Sequence, residues 1–560
     1  MATFLTRSPR RQHGGLQVLD WLSSVGKKAD HPMYNAEEAR KLLKDLPADQ
    51  GKALEEVSSW LETVTTAEGY APDDRIGVVK LLDETGQDYE PVLLESFLRE
   101  VKMKEHDRLK LWHTLVGFWE HLGAAYRRCL KDVAPDSGSV AAHPEHALLV
   151  VRALRALADE AKILHLRYLP VRRHIWQELA ELYGLSEQAK FDEESLKAYA
   201  NDAVITSPRR EFLRALMLEV AGPESEQAMA VELSARIIAR FASAFVIATK
   251  PAPGCNFCFD LARPDHPFHY SPKVRASATL RYFGAGQARA SLEEVVAGYT
   301  AHPEETDRRF GEEYSIGDKL LAMKRLLLHW SEAAPQQRGP RVKIDAKVKV
   351  SRGFESVAEL VTRIEFGGMA EMTKDQRLKV KQQTGIALQS ADVTAVITEW
   401  MERDGSAWGM GVDIPREDEP WAKIGTLCAL QAPGQKLWWV AAIQRMYRDE
   451  HDKPHAGVEI LAKKPLSVFL RGVGAGAERA ENWQTSSGSF RFTYLNAIIL
   501  GESATSATRR EILLKRDSFN AGTLYAVMMG DESQHVRLEE LLERGEDYDR
   551  VRVSWLKGAK

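Results

Sequence analysis

Apolar residues recur at helical spacing from about residue 35 to residue 330, and the stretch SPRREFLRALMLEVAG at 207–222 shows this most clearly. Ser207 can cap a helix N-terminus, Pro208 suits the first helical position, and Gly222 suits the end of the helix. Between these ends the apolar residues fall on one face: Leu213, Leu216 and Val220. The pattern therefore predicts a helix here.

A second segment, LKLWHTLVGFWEHLGAAYRRCL at 109–130, is apolar around most of its circumference. Such a helix is surrounded by other elements, so we predict that it is central and buried. Together these patterns predict an all-helical domain or domains over 35–335, preceded by a polar N-terminal arm over 1–34.

The hydrophobic period changes near residue 335. RVKIDAKVKV at 341–350 alternates charged and apolar residues, which is typical of a half-buried strand. Residues 355–385 return to a polar, helix-compatible pattern, and short apolar segments bounded by turn residues follow Asp404. Strands at this spacing favour one or two small antiparallel barrels. We predict an α+β multidomain protein with a β-barrel over 338–465, a helical insertion near 355–385 outside that barrel, and a second β-rich domain over 466–560.

Composition and charge narrow the class of protein. The 560 residues carry a formal net charge of −4, which gives no overall attraction for nucleic acid or for an acidic membrane surface. No apolar run reaches the roughly 18 residues that cross a bilayer, and the N-terminus lacks the apolar core of a secretory signal. Four cysteines fit a reducing compartment. We expect a cytoplasmic protein without membrane insertion and without a nucleic-acid partner.

The stretch RDGSAWGMGV at 403–412 is the strongest candidate for chemistry, with the spacing Asp404-x-Ser406-x-x-Gly409. Glycines allow backbone N–H groups to approach a phosphate, and a serine hydroxyl can donate a hydrogen bond to it. The same residues also suit an ordinary hairpin turn. Both interpretations are open from the residues alone.

This D-x-S-x-x-G hexad resembles the motif of the PilZ domain, a small bacterial β-barrel that binds cyclic di-GMP. The segments that follow are also similar: an Ile424–Gly425 pair, an apolar strand over 438–443, and a glycine-bearing strand over 457–461. The resemblance covers about residues 338–465. The chain as a whole looks like long proteobacterial proteins that carry a PilZ-like barrel behind a helical region.

The resemblance implies a ligand site formed by Arg338, Arg341, Asp404, Ser406 and Gly409. The arginines would pair with phosphates and stack on guanine, and Asp404 would accept hydrogen bonds from guanine N–H groups or brace the loop. The PilZ family places an R-x-x-x-R motif before its first strand, whereas Arg338 and Arg341 are one residue closer together. The alternative is therefore a PilZ-like barrel that binds no nucleotide and serves as a protein-binding module, with DGSAWG as a turn.

The sequence also contains candidates for a metal site and for a catalytic site. The cysteine–histidine segment, defined by Cys255, Cys258, His266 and His269, has a C-x₂-C-x₇-H-x₂-H spacing. The span between its pairs is shorter than in common zinc fingers, so we predict buried cysteines and surface histidines without zinc or another metal. Catalytic signatures are absent from the sequence: GVGAGAERAE lacks the Lys-Ser/Thr of a P-loop, and GSAWG has serine in the wrong place for a nucleophile elbow.

The sequence thus predicts a non-enzymatic bacterial signalling protein without a resident cofactor. Cyclic di-GMP would be its ligand, and its output would be a protein–protein interaction through the helical region. Two alternatives remain open: a helical scaffold with a degenerate barrel that binds no nucleotide, and an enzyme whose site the sequence does not reveal.

Overall fold

The computed structural model describes residues 29–99, 103–133, 144–202, 204–302, 309–331, 341–365, 395–449, 453–473, 494–501, 511–529 and 532–556. The chain divides into two compact units. The first contains Met1–Ile163, Arg173–Ala215 and Leu261–Asp265, and the second contains Leu164–Arg172, Leu216–Asp260 and His266–Lys560.

Helices dominate the N-terminal part of the described chain. In chain order they are α1 (Ala36–Leu42), α2 (Gln50–Thr66), α3 (Pro72–Gly86), α4 (Glu90–Arg99), α5 (Glu105–Val133), α6 (His146–His165), α7 (Arg173–Gln188), α8 (Pro208–Glu219), α9 (Ala228–Phe241), α10 (Ala288–Ala301), α11 (Ile316–His329) and α12 (Phe354–Glu365). Short 3₁₀ helices cover Leu43–Asp45, Pro223–Ser225 and Ala242–Ala244. No helix among the described residues combines the length and the apolarity that crossing a membrane requires.

Local sequence signals explain where several helices begin and end. Asn35 and Asp49 cap α1 and α2 through side-chain oxygens that accept backbone N–H groups. Helix α8 begins at Pro208, as predicted, and Gly222 adopts a φ of 71° shortly after the helix. The predicted central helix is confirmed as α5, whose inward residues such as Leu115, Phe118 and Leu122 are fully buried.

A buried polar network ties α3, α5 and α6 together in the first unit. The Tyr126 hydroxyl donates to Asp83 Oδ2 at 2.5 Å, and the Tyr199 hydroxyl donates to Asp83 Oδ1 at 3.0 Å. Arg152 Nη1 donates to the same carboxylate at 3.2 Å, and its Nε donates to the Ala198 carbonyl at 2.8 Å. Burial raises the pKa of Asp83 against the lowering effect of Arg152. Since these polar atoms are paired, the network fixes the irregular segment around Tyr199 against the helices.

The structure differs from the all-helical expectation between residues 246 and 284. Four short strands lie there: β1 (Val246–Ala248), β2 (Phe257–Asp260), β3 (Phe268–His269) and β4 (Leu280–Gly284). They form an antiparallel sheet in the order β1-β4-β2-β3. Strands of two to five residues are too short to give a recognisable alternation, and the Pro- and Gly-bearing segments between them are typical of loops.

The first predicted barrel is confirmed. Its strands are β5 (Val342–Arg352), β6 (Ile397–Ser406), β7 (Gly409–Asp413), β8 (Leu427–Gln431), β9 (Trp439–Arg448) and β10 (Pro454–Ala462), closed in the order β10-β7-β6-β5-β8-β9. Inward residues including Trp400, Met410, Val412 and Val458 form its core. Helix α12 lies between β5 and β6 in sequence, and its side chains pack outside the barrel interior. Residues 366–385 of the expected insertion fall outside the described residues, so its bounds stay a prediction.

A second closed barrel follows directly. It contains β11 (Leu466–Gly472), β12 (Tyr494–Leu500), β13 (Glu511–Lys515), β14 (Leu524–Met529), β15 (Glu532–Arg544) and β16 (Tyr548–Leu556) in the order β11-β12-β13-β16-β15-β14. Helix α12 and both barrels share one apolar cluster, in which Val357, Leu427 and Tyr548 are fully buried. The predicted fold class, a helical region followed by antiparallel barrels, is therefore confirmed.

Candidate functional site

The DGSAWG motif forms a tight β-hairpin between β6 and β7. Ser406 pairs with Gly409 across the hairpin, and only Ala407 and Trp408 lie between them. The Ser406 hydroxyl donates to the Gly409 carbonyl at 3.2 Å. Trp408 is half-buried against the barrel core, and the Lys463 ammonium lies 5.2 Å from its ring centroid. The hairpin interpretation is thus correct for the backbone, and a ligand role for Ser406 and Gly409 stays a prediction.

Arg341 and Asp404 form an ion pair beside this hairpin. Arg341 immediately precedes β5, Asp404 lies on β6, and the arginine donates through Nε and Nη2 to Asp404 Oδ1. Their side chains are 43% and 39% exposed, so both remain accessible to a ligand. The structure thereby brings together two of the predicted ligand residues. Arg338 lies outside the described residues.

Two glycines face each other on the outer wall of the barrel next to Asp404. Gly411 on β7 pairs with Gly457 on β10, and Asp404 pairs with Gly411 from the other side. Their sequence neighbours point into the core, so strand alternation places both glycines on the outer surface. A Cβ on Gly411 would lie 2.9 Å from Asp404 Oδ2, because the carboxylate lies over this glycine. The two glycines form a glycine patch that has no side chains of its own, and the Asp404 carboxylate lies over its Gly411 end.

A polar cluster lies two residues further along the same strands. His455 pairs with Asp413 on one side and with Tyr447 on the other. Its ring stacks on the Tyr447 ring at 4.8 Å with an interplanar angle of 13°, and Tyr447 is 50% exposed. His455 Nδ1 lies 2.9 Å from Asp413 Oδ1 and its Nε2 lies 3.1 Å from Asp449 Oδ2. The ring stack therefore has a fixed orientation at the edge of the glycine patch.

Asp413 is the centre of this cluster. Arg403 donates to its Oδ2 through Nε at 2.9 Å and through Nη2 at 2.7 Å, and Lys453 donates to the same oxygen. Burial alone would raise the pKa of Asp413, but the hydrogen bonds and charges of Arg403 and Lys453 hold it at about 2. The carboxylate therefore stays ionised over the whole neutral range, and it holds these cations and the His455 ring in place.

Arg445 borders the glycine patch on the side opposite Asp404. It lies on β9 and pairs with Gly457. Its side chain is 61% exposed, and its Nη2 lies 3.8 Å from Glu224 Oε1. Sequence reasoning missed Gly411, Gly457 and Arg445. The alternation in GMGVD and AGVEI indicates which residues face outward, but only the strand register shows that they are neighbours.

The cysteine–histidine segment does not bring its four side chains to one point. Cys255 and Cys258 are buried in an apolar cluster with Leu280 and Tyr282. Burial, with a smaller effect of Cys255, raises the pKa of the Cys258 thiol to about 12. His266 bonds to Glu219 at 2.9 Å, while the His269 ring packs against Phe257. Within the described part of the chain no group of three or more His, Cys, Asp or Glu side chains could hold a metal ion. That the segment binds no zinc stays a prediction.

A comparison with known families finds a match in the helical region. Residues 37–252 match the family described as "Cyclic-di-GMP receptor FimW, N-terminal domain". A comparison with curated proteins found no match. The helical region is thus similar to the N-terminal domain of a cyclic di-GMP receptor. This agrees with the resemblance seen in residues 403–412, although the matched residues precede the barrel.

Proposed function

We propose that this protein is a cytoplasmic, non-enzymatic receptor for cyclic di-GMP that binds the dinucleotide on the outer wall of its first barrel. The family match of the helical region supports a receptor of this class. The observation that carries the site is the exposed Arg341–Asp404 pair beside the Gly411–Gly457 patch. Four buried cysteines without disulfides fit a reducing compartment.

Each element of the wall suits one part of a cyclic dinucleotide. Arg341 would exchange Asp404 for a phosphate, because an exposed ion pair contributes only about 0–1 kcal/mol whereas a charge-assisted contact contributes about 1.5–3 kcal/mol. Asp404 would then accept hydrogen bonds from guanine N–H groups. Once the Asp404 carboxylate turns from Gly411 to the ligand, the backbone of Gly411 and Gly457 would allow a flat base to lie close to the sheet. The nearby Tyr447 ring offers a stacking surface.

The output would pass through a protein partner that contacts the helical region. The first unit presents two adjacent apolar side chains, Val204 and Ile205, which are 56% and 50% exposed. Apolar side chains in this position suit a protein contact. The chemistry needs no catalytic group or cofactor, since binding alone would carry the signal.

The alternative is a helical scaffold with a barrel that binds no nucleotide. Two observations favour it: the Ser406 hydroxyl already donates within the hairpin, and Arg341 already has an anionic partner. Both interactions would have to be exchanged for ligand contacts.

Calorimetric titration of the full chain with cyclic di-GMP separates these functions. We expect saturable binding to the wild type, a loss of about 2 kcal/mol or roughly thirtyfold in Arg341→Ala, and a loss of about 1 kcal/mol in Ser406→Ala. Arg537→Ala removes an exposed arginine from the second barrel and should bind like the wild type. If the wild type gives no heat of binding, the helical scaffold without nucleotide binding is the remaining function. If Arg341→Ala binds as tightly as the wild type, the proposed site is refuted.

A further inference from the structure

We infer that Arg445 is a second phosphate-binding arginine of the same site and that the Gly411–Gly457 pair is the floor on which the ligand lies. This inference rests on the proposed function. Arg445 would also take the place of the second arginine of the R-x-x-x-R motif, because Arg338 and Arg341 are one residue closer together than that motif requires.

The strand register places Arg445 across the floor from Arg341 and Asp404. Along one row of the outer wall the order is Arg445, Gly457, Gly411, Asp404. Three strand spacings separate the two ends, which is roughly 14 Å along the sheet. No side chain rises from the two central positions. The Asp404 carboxylate, which lies over Gly411, would move aside when Arg341 exchanges it for a phosphate. Two cationic side chains at the ends of this glycine floor then suit a flat ligand with two phosphates, because each phosphate can meet one arginine.

Arg445 is available for this role. Its only described charged partner within 4 Å is Glu224, at 3.8 Å, and the two side chains are 61% and 42% exposed. An exposed pair at this distance contributes little to stability, so the guanidinium can turn towards a phosphate. Glu224 would compete with that phosphate for the Arg445 guanidinium, since both are anions that can pair with it.

The two glycines differ in what a side chain would do. At Gly457 a Cβ would lie 3.4 Å from the Arg445 Cβ, which is a tight but tolerable contact, whereas at Gly411 it would press on the Asp404 carboxylate. Gly457→Val therefore fills the floor without disturbing Asp404. A β-branched residue also suits a strand.

The test is calorimetric titration with cyclic di-GMP of the full chain and a set of matched variants. Arg445→Ala should bind about tenfold more weakly or worse, because a charge-assisted contact is lost. Gly457→Val should lose at least about as much affinity for cyclic di-GMP, while its melting temperature should stay that of the wild type. Glu224→Gln should bind about threefold more tightly, and this gain should vanish when Arg445→Ala is also present. Arg537→Ala is the control for loss of one positive charge.

The outcomes separate this inference from the proposed function. If the wild type binds no cyclic di-GMP, both are overturned. If the wild type binds and Arg341→Ala is weakened, but Arg445→Ala and Gly457→Val bind like the wild type, the receptor function stands and this inference is wrong. A gain in Glu224→Gln that survives in the double variant would also overturn it, because the gain would then not depend on Arg445.

Discussion

Asp547 joins the two barrels and offers the sharpest test of how the second unit is stabilised. It lies in the turn between β15 and β16, and its two carboxylate oxygens accept hydrogen bonds from backbone groups outside its own barrel. Oδ1 accepts from Leu427 N at 3.0 Å, at the start of β8, and Oδ2 accepts from Phe354 N at 2.7 Å, at the start of α12. Asp547→Ala would leave both N–H groups without this acceptor.

The expected loss follows from burial and charge. Leu427 and Phe354 are 0% and 4% exposed, and a buried donor without an acceptor costs about 1–3 kcal/mol. Part of this loss in free energy of unfolding is offset, because the substitution also removes a carboxylate whose burial is unfavourable. We therefore expect Asp547→Ala to lower the free energy of unfolding by about 2 kcal/mol at pH 7.

The loss should depend on pH in a defined direction. Burial raises the pKa of Asp547 to about 6, above its ordinary value of 3.8, against the backbone hydrogen bonds that lower it. A raised carboxyl pKa stabilises the folded state at low pH, and this stabilisation is lost as pH rises through about 6. The difference in free energy of unfolding between the wild type and Asp547→Ala should therefore be larger at pH 5, one unit below that pKa, than at pH 7. The increase should be about 1.4 kcal/mol.

Urea unfolding at pH 5 and pH 7, with hydrogen exchange of the Leu427 and Phe354 amides at one pH, measures both effects. Glu546→Ala removes the exposed neighbouring carboxylate and should change stability by less than about 0.5 kcal/mol. Equal midpoints for wild type and Asp547→Ala at both pH values would refute the bridging role. A stability difference that does not change between pH 5 and pH 7 would refute the raised pKa.

Three further predictions concern packing and metal content. Tyr126→Phe removes the hydroxyl that donates to the buried Asp83 and should cost about 1–3 kcal/mol in urea unfolding; a loss below about 0.5 kcal/mol would contradict this. Gly545→Ala should destabilise the protein by more than about 2 kcal/mol, because the new Cβ would lie 2.2 Å from Tyr548 Cε1. Gly298→Ala is the matched control: it has open space around it in α10 and should stabilise the protein by up to about 1 kcal/mol. Similar shifts of the melting temperature in both variants would refute the steric argument. Protein purified without chelator should contain no stoichiometric zinc by metal analysis, and zinc that is lost when the two cysteines of the cysteine–histidine segment are replaced would show the opposite.

Elements with a long, regular period could be predicted from the sequence. The limits of α8 follow from Ser207, Pro208 and Gly222, and the strand β5 follows from the alternation in RVKIDAKVKV, because capping and alternation are local properties of the chain. The short strands between 246 and 284 could not be recognised in this way. Their pairing depends on neighbours, and too few residues repeat.

The candidate site likewise combines features that could be predicted from local sequence with features that could not. From the sequence alone, residues 403–412 could be recognised as either a hairpin turn or a phosphate-binding loop, and the family resemblance made Arg341 and Asp404 candidates for its chemistry. That Asp404, Gly411, Gly457 and Arg445 lie in one row could be seen only in the folded protein. Strand register is set by core packing and by β-bulges, and neither can be recognised from the local sequence. Likewise, Asp547 meets Phe354 across 193 residues only because two barrels and a helix share one apolar core. Local periodicity specifies elements, and burial of their apolar faces decides which distant side chains become neighbours.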